Sequence, residues 1–254
     1  MLFIISPSKS LDFNIANFST NVSHPFFLEK SKILIEELRK YPIEKLSKLM
    51  NISDKLADLN FQRFQNFITP FNLKNAKPAL FVFDGDVYDG INEVNYSEEE
   101  LEFLQNNLRI LSGLYGVLKP LDLMQPYRLE MGTNLKNYKS KNLYEFWKHD
   151  IANYFNQELA NRNEQIIVNL ASEEYFKVID QKLFNGKFLN IIFKNNKNGV
   201  YKNIGFFSKK ARGLMVDFIV KNKIKNIEDL RDFNLCGYRF DKAKSNEFNW
   251  CFYD

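Results

Sequence analysis

The chain has 254 residues, 45% apolar and 15% aromatic with 25 Phe, enough for a substantial core and too apolar for a disordered tail. It contains no run of 18 apolar residues, which excludes a membrane-spanning helix, and only Cys236 and Cys251, which excludes a disulfide scaffold. Lys and Arg exceed Asp and Glu by 35 to 31, and a net charge of +4 identifies no partner by itself.

In chain order, the N-terminal Met-Leu-Phe-Ile-Ile-Ser-Pro has no basic leader and no cleavage site, so it reads as a first strand of a cytoplasmic protein. That strand runs into Pro7-Ser-Lys-Ser-Leu-Asp12, where hydroxyls, amides and the Lys9 charge could together hold an anion. Residues 13–24 read as a loose polar excursion. The apolar spacing of Phe26–Lys40 predicts an amphipathic helix, and Pro42 interrupts it. Two shorter helices are expected over Ile43–Met50 and Ser53–Phe67, with Ser53 as an N-cap. The register Leu46-x-x-Leu49-x-Asn51-Ile52-Ser53-x-x-x-Ala57 resembles a helix-hairpin-helix, whose turn amides hold a nucleic-acid phosphate. Asn51 and Ser53 stand where that motif usually has Gly, so an ordinary helical hairpin packed on the core is the competing reading.

Ala79–Phe83 reads as a buried strand, followed by the acidic loop Asp84-Gly-Asp-Val-Tyr-Asp-Gly90. Its aspartates do not continue to the Glu that a calcium loop requires, so no metal site is expected there. Ser97-Glu-Glu-Glu100 predicts a capping box opening a helix to about Asn107. The 22-residue stretch Leu111–Gly132 holds three Gly and two Pro yet is too apolar for a solvated linker. It is expected to form one wall of a cleft, with Tyr115, Lys119, Asp122, Arg128 and Glu130 among its polar groups, or else to be a self-satisfied core loop.

A helix over Leu143–Arg162 and a strand over Ile166–Leu170 follow, the strand leaving through Asn169-Leu-Ala-Ser172 into a helix. A β-hairpin is expected from Phe188–Lys194 to Gly199–Phe207 across Asn195-Asn-Lys-Asn198. Ser208-Lys-Lys-Ala-Arg-Gly-Leu-Met215 is expected to open a helix capped by Ser208. That would place Lys209, Lys210 and Arg212 in a first turn where the helix dipole disfavours cations, a local conflict that suggests an anion site. A short helix over Ile227–Phe233 and mixed short strands over Leu235–Phe252 close the chain.

Strands alternating with helices indicate an α/β (α+β mixed) fold, a mixed sheet flanked by helices. One domain over 1–254 is expected, with a helical insertion at about 26–70. Charge is segregated along the sequence. Eight acidic residues and no Lys or Arg lie between Asp84 and Glu102, and twelve Lys or Arg against two Asp lie between Lys177 and Lys225. If these segments stay apart in space, one face is basic and an anionic partner follows.

Five stretches resemble one family: Ile5-Ser-Pro-Ser-Lys-Ser-Leu-Asp12, Phe83-Asp-Gly-Asp-Val-Tyr88, Leu111–Gly132, Asn169-Leu-Ala-Ser172 and Lys209-Lys-Ala-Arg-Gly-Leu-Met215. They look like those of the YaaA peroxide-stress-resistance family, in order, from about residue 1 to 240. The family usually has Ala-Lys-Thr where this chain has Ser8-Lys9-Ser10, and the tail with Cys251 diverges further. The resemblance implies a bacterial cytoplasmic protein that limits free intracellular iron and DNA damage during hydrogen peroxide stress. It also implies a positively charged cleft, a helix-hairpin-helix element and DNA binding.

Three functions compete. The first is DNA binding with low sequence preference, by a protein expected to be a monomer with no cofactor, through Lys9, Asn51, Ser53, Lys119, Arg128, Lys209, Lys210 and Arg212. The second is an enzyme acting on a nucleotide or nucleic-acid base, with Asp12, Tyr115, Asp122 and Glu130 lining the cleft. The third, direct iron sequestration, is disfavoured because His24, His149, Cys236 and Cys251 are scattered.

Overall fold

A computed structural model gives the protein's structure and describes residues 1–15, 18–137 and 140–254. The N-terminal part comprises β1 (Leu2–Ile5), β2 (Ser10–Leu11), α1 (Leu28–Leu38), α2 (Ile43–Met50), α3 (Asp54–Gln65), β3 (Lys77–Pro78), α4 (Ala79–Val82) and β4 (Phe83–Asp84). There follow α5 (Glu98–Asn107), β5 (Leu108–Ser112), β6 (Gly116–Leu118), β7 (Leu123–Met124), α6 (Leu143–Leu159), β8 (Ile166–Asn169) and α7 (Glu173–Phe176). The last part holds β9 (Lys187–Lys197), β10 (Val200–Lys202), α8 (Gly205–Lys221), β11 (Arg239–Phe240) and β12 (Asn249–Tyr253). Residues 16 and 17 of the expected polar excursion lie outside the described residues.

The architecture is mixed α/β around a mostly parallel central sheet. Its strands run in the order β11-β12-β9-β8-β1-β5-β6, with β10 pairing to β9. β12, β9, β8, β1 and β5 are mutually parallel, and β6 and β11 close the edges antiparallel. Central parallel strands are covered on both faces, which is why β1 reads as an unbroken apolar run and is buried throughout. One continuous set of buried apolar side chains extends from Leu2 to Phe252. Among the described residues no helix is long and apolar enough to cross a membrane.

Several expectations are corrected. Ala79–Val82 is a buried helical turn rather than a strand. A short apolar run does not distinguish the two by periodicity. Here Pro78 sets the entry, and the Ala79 and Leu80 amides donate to Asp122 O and Pro120 O of the central stretch. The hairpin turns later than expected, at Asn198-Gly199, whose φ values of 56° and 81° suit a two-residue hairpin turn. β10 then ends at Lys202, which leaves Phe206 and Phe207 in α8. That helix begins at Gly205, so Ser208 lies inside it and donates to Asn203 Oδ1 rather than capping. Lys209, Lys210 and Arg212 therefore sit in the second turn or beyond, where the dipole conflict fades. The segment 227–233 is a 3-10 helix over Ile227–Asp232. Predicted helix ends at Phe26–Lys40 and Leu143–Arg162 contract by two or three residues, while the Ser97 capping box is present as expected.

The charge segregation of the sequence does not survive folding. Lys209 pairs with Asp86 at 3.1 Å, Lys221 with Glu100 at 3.0 Å and Lys223 with Glu99 at 2.5 Å, so the acidic segment lies against the basic one. The lysine-rich stretch is thus partly neutralised by the aspartates and glutamates it was expected to avoid.

Candidate functional site

β1 lies between β5 and β8, and the chain leaves β1 toward β5 but leaves β8 toward β9. The loops therefore diverge at the carboxyl ends of β1 and β8, the place where open α/β sheets form ligand crevices. A cavity of about 310 Å³ opens there, and a narrower crevice between Lys9 and Arg128 adjoins it.

Its floor is tied together by serines. Ser6 Oγ accepts from the Ser172 N–H at 2.8 Å and lies 3.2 Å from Ser172 Oγ, while Tyr88 OH donates to Ser6 O at 3.2 Å. Ser8 Oγ donates to Asp84 O, and Gly85 beneath it has φ +141°. That positive φ favours glycine, and a Cβ there would come 2.7 Å from Ser8 Oγ. The far wall is α8, held at backbone distance from the Val87–Gly90 turn: a Cβ on Gly213 would sit 1.8 Å from Val87 O. A glycine inside a helix is tolerated here because nothing larger fits, and the close approach sets Lys209 and Arg212, one helical turn apart, on the cavity.

The central stretch forms the remaining wall. It folds back on itself: Tyr115 OH donates to Gln125 O at 3.2 Å and accepts from Gln125 N at 3.0 Å, and Ser112 Oγ meets Tyr127 OH at 2.6 Å. At its end Glu130 bridges two cations, with Lys9 at 2.6 Å on Oε2 and Arg128 at 3.1 Å on Oε1. Arg212 differs from these. Among the described residues its guanidinium has no ion pair and no hydrogen bond, its Nε is buried, and burial pulls its pKa down. Arg128 Nε is likewise buried without a partner. Arg63 from α3 approaches Arg128 closely enough that burial first and the neighbouring guanidinium second lower its pKa. It donates to Asn60 Oδ1 at 3.3 Å and has no carboxylate partner among the described residues. Burial also raises the Tyr88 and Tyr175 hydroxyl pKa values well above the usual range, so both remain protonated donors.

The structure thus brings together Lys9, Arg128, Glu130, Lys209 and Arg212. It places the other expected residues elsewhere. Lys210 lies across α8 on a different cavity. Tyr115 is fully buried in the core, and Asp12 is exposed and accepts from the Asn14 N–H at 2.7 Å within its own loop. Lys119 and Asp122 belong to a polar network at the amino end of β5. There Asp122 Oδ2 accepts from the Lys119 N–H at 2.7 Å, and Lys119 Nζ lies 3.6 Å from Glu158, which also pairs with buried Arg109. The short spacing of polar groups in the central stretch concealed that they point to opposite ends of the sheet.

Asn51 and Ser53 form the turn between α2 and α3, outside the cavity. Asn51 adopts φ 51°, and Ser53 Oγ accepts from the Leu56 N–H at 3.4 Å, the left-handed and capping roles those residue types favour. Arg63 carried no sequence signal, being one arginine on an amphipathic helix, and Ser6, although within the Ile5–Asp12 stretch, was not singled out because it reads as one serine at a strand end. Among the described residues no group of three His, Cys, Asp or Glu side chains could hold a metal ion.

Comparison with known proteins adds the following. A family model described as "Peroxide stress protein YaaA" matches residues 1–244. A UPF0246 protein of Acaryochloris marina is 50% identical over 252 residues, covering 99% of both chains. UPF0246 proteins of Aliivibrio fischeri and Colwellia psychrerythraea are 49% and 46% identical, covering 96% and 99% of this chain and 95% and 98% of theirs.

Proposed function

This chain belongs to the YaaA peroxide stress protein family, and from that premise we propose that it binds DNA with little sequence preference through phosphate contacts in the cleft. Arg212 is the observation that carries the reading. A guanidinium presents five donors and stays charged, and the Arg212 Nε–H, buried and unpartnered among the described residues, is costly unless an anion completes it. Lys9, Lys209 and Arg128 stand on the same cavity system, each held by one carboxylate that a phosphate could displace or share. Arg63, in the last turn of α3, adds a further cation beside Arg128. In this proposal the turn at Asn51–Ser53, at the opposite end of α3, is a separate phosphate contact in the manner of a helix-hairpin-helix. The sequence carries no recognition-helix signature, so the proposed contacts are to backbone and not to base edges.

In this reading the protein limits peroxide damage by occupying DNA, and it lowers free iron indirectly, because among the described residues no three His, Cys, Asp or Glu side chains gather as a ligand set for the metal. Titration of a random duplex with the intact protein over rising salt tests the proposal. Log K falls by nearly one unit per tenfold salt for each phosphate contacted, and an affinity that barely changes with salt contradicts it.

A second reading, an enzyme acting on a nucleotide or base in the same cleft, is favoured by the cavity's place at the strand ends. Of the acids expected to serve it, only Glu130 reaches the site. Conversion of a nucleotide by the parent and not by Glu130→Gln would establish it.

A further inference from the structure

We propose that the cavity on the opposite side of α8 is a second binding site, which takes one unpaired nucleotide, with its phosphate at the amino end of α8 and its base against Phe206 and Phe207. This cavity of about 380 Å³ is lined by Asn195, Ile204, Phe206, Phe207, Lys210 and Cys236, among others. Lys209 and Arg212 face the cleft already described and Lys210 faces away from it, so one helix separates the two sites.

Three independent features define the ligand. The first is the end of α8. Ile204 occupies the N-cap position and has no side-chain acceptor, so the leading amides of a 17-residue helix are left uncapped. With the Lys210 ammonium nearby, they suit a phosphate. The second is Asn195, only 5% exposed. Its Nδ2 donates to Tyr238 OH at 2.6 Å and to Asp254 Oδ2 at 2.9 Å. A carboxylate only accepts, so the amide orientation is fixed, and among the described residues Oδ1 is left buried with no donor. Asn195 borders the cavity, and in this proposal a base N–H, such as those on guanine's Watson–Crick edge, supplies the donor that Oδ1 lacks among the described residues once the side chain turns toward it. The third is the pair Phe206 and Phe207, 57% and 50% exposed with ring centroids 5.5 Å apart. Their planes are 72° apart, so one ring can stack on a planar base while the other meets its edge.

Cys236, exposed on the cavity, supplies a reporter in the intact protein, and buried Cys251 supplies the internal control. The probes are dGMP, inorganic phosphate and a short guanine-containing single strand, each scored by the rate of iodoacetamide alkylation at Cys236. dGMP is expected to slow that rate about 10-fold at saturation, with Cys251 unaffected. Phe206→Ala and Lys210→Ala, both at exposed positions, are each expected to weaken this protection about 10-fold while the protein melts like the parent. Protection by the single strand as well as by dGMP identifies nucleic acid as the source, and protection by dGMP alone identifies a free nucleotide. Absence of protection by either, or equal protection by inorganic phosphate, overturns the proposal. Duplex affinity in Phe206→Ala is expected to equal the parent's, so failure here and failure of the cleft reading are separable.

Discussion

Ser6 and Ser172 meet across the carboxyl ends of β1 and β8, where Ser6 Oγ accepts the Ser172 N–H at 2.8 Å. This contact joins the two strands from which the chain diverges, and so holds the floor of the cleft. Ser6→Ala leaves that amide without its acceptor and is expected to cost about 1–2 kcal/mol. Ser172→Ala retains the amide bond and is expected to cost less than about 1 kcal/mol. Urea unfolding of both variants checks the order, and an equal loss would show that the amide bond is not the anchor.

The contact of α8 with the Val87–Gly90 turn admits no side chain at Gly213, where a Cβ would lie 1.8 Å from Val87 O. Gly213→Ala is expected to destabilise by about 3 kcal/mol or more, since overpacking a rigid backbone contact leaves nothing flexible to move. Gly205→Ala, where nothing among the described residues lies within 4 Å of the added Cβ, is expected to be neutral or stabilising by up to about 1 kcal/mol. Thermal melts of the two variants separate these outcomes.

Asp122 is buried, and burial pushes its carboxyl up to about 6, against the pull of hydrogen bonds from Ser23 and the Lys119 amide. Because the folded value exceeds the unfolded one near 3.9, ionisation is disfavoured in the fold. Its contribution is fullest below about pH 4 and declines as the pH rises to about 6, by up to about 3 kcal/mol. Asp122→Ala is expected to be less stable than the parent at pH 4.5, with the gap narrowing at pH 7.5. Urea titrations at both pH values check this, and a constant gap would contradict it.

Much of the sheet was legible in the sequence because its strands are short apolar runs bounded by Pro, Gly and Ser, and the Ser97 box marked its helix directly. What was not legible is instructive. Ala79–Val82 carries the same apolar pattern as a strand, and only hydrogen bonds to Pro120 and Asp122, forty residues away, make it helical. The start of α8 was misplaced because Ser208 has a capping residue's chemistry but spends it on Asn203. For the site, Lys9, Arg128 and Arg212 were legible as cations beside structure-fixing residues. Tyr115 and Asp122 were not separable from them, since a Gly/Pro-shaped stretch gives no periodicity from which to read direction.

The dialysed protein is expected to carry no stoichiometric iron. Among the described residues Asp84, Asp86 and Asp89 do not gather into a group that could hold a metal ion. Elemental analysis checks this, and iron retained by the parent but lost on replacing those aspartates would contradict it.

The central claim is that Lys9, Arg128 and Arg212 act on one bound phosphate backbone. Salt-dependent titration of a random duplex tests it most directly, comparing the parent with Arg128→Lys and with the Lys9/Arg128/Arg212 triple alanine variant. Arg128→Lys is expected to weaken binding while leaving the melt unchanged, because an ammonium cannot reproduce bidentate contact. The triple variant is expected to lose affinity at every salt concentration and to flatten the log K against log salt slope by about 2 to 3 units. Parent-like affinity and slope in a triple variant that melts like the parent would contradict the account.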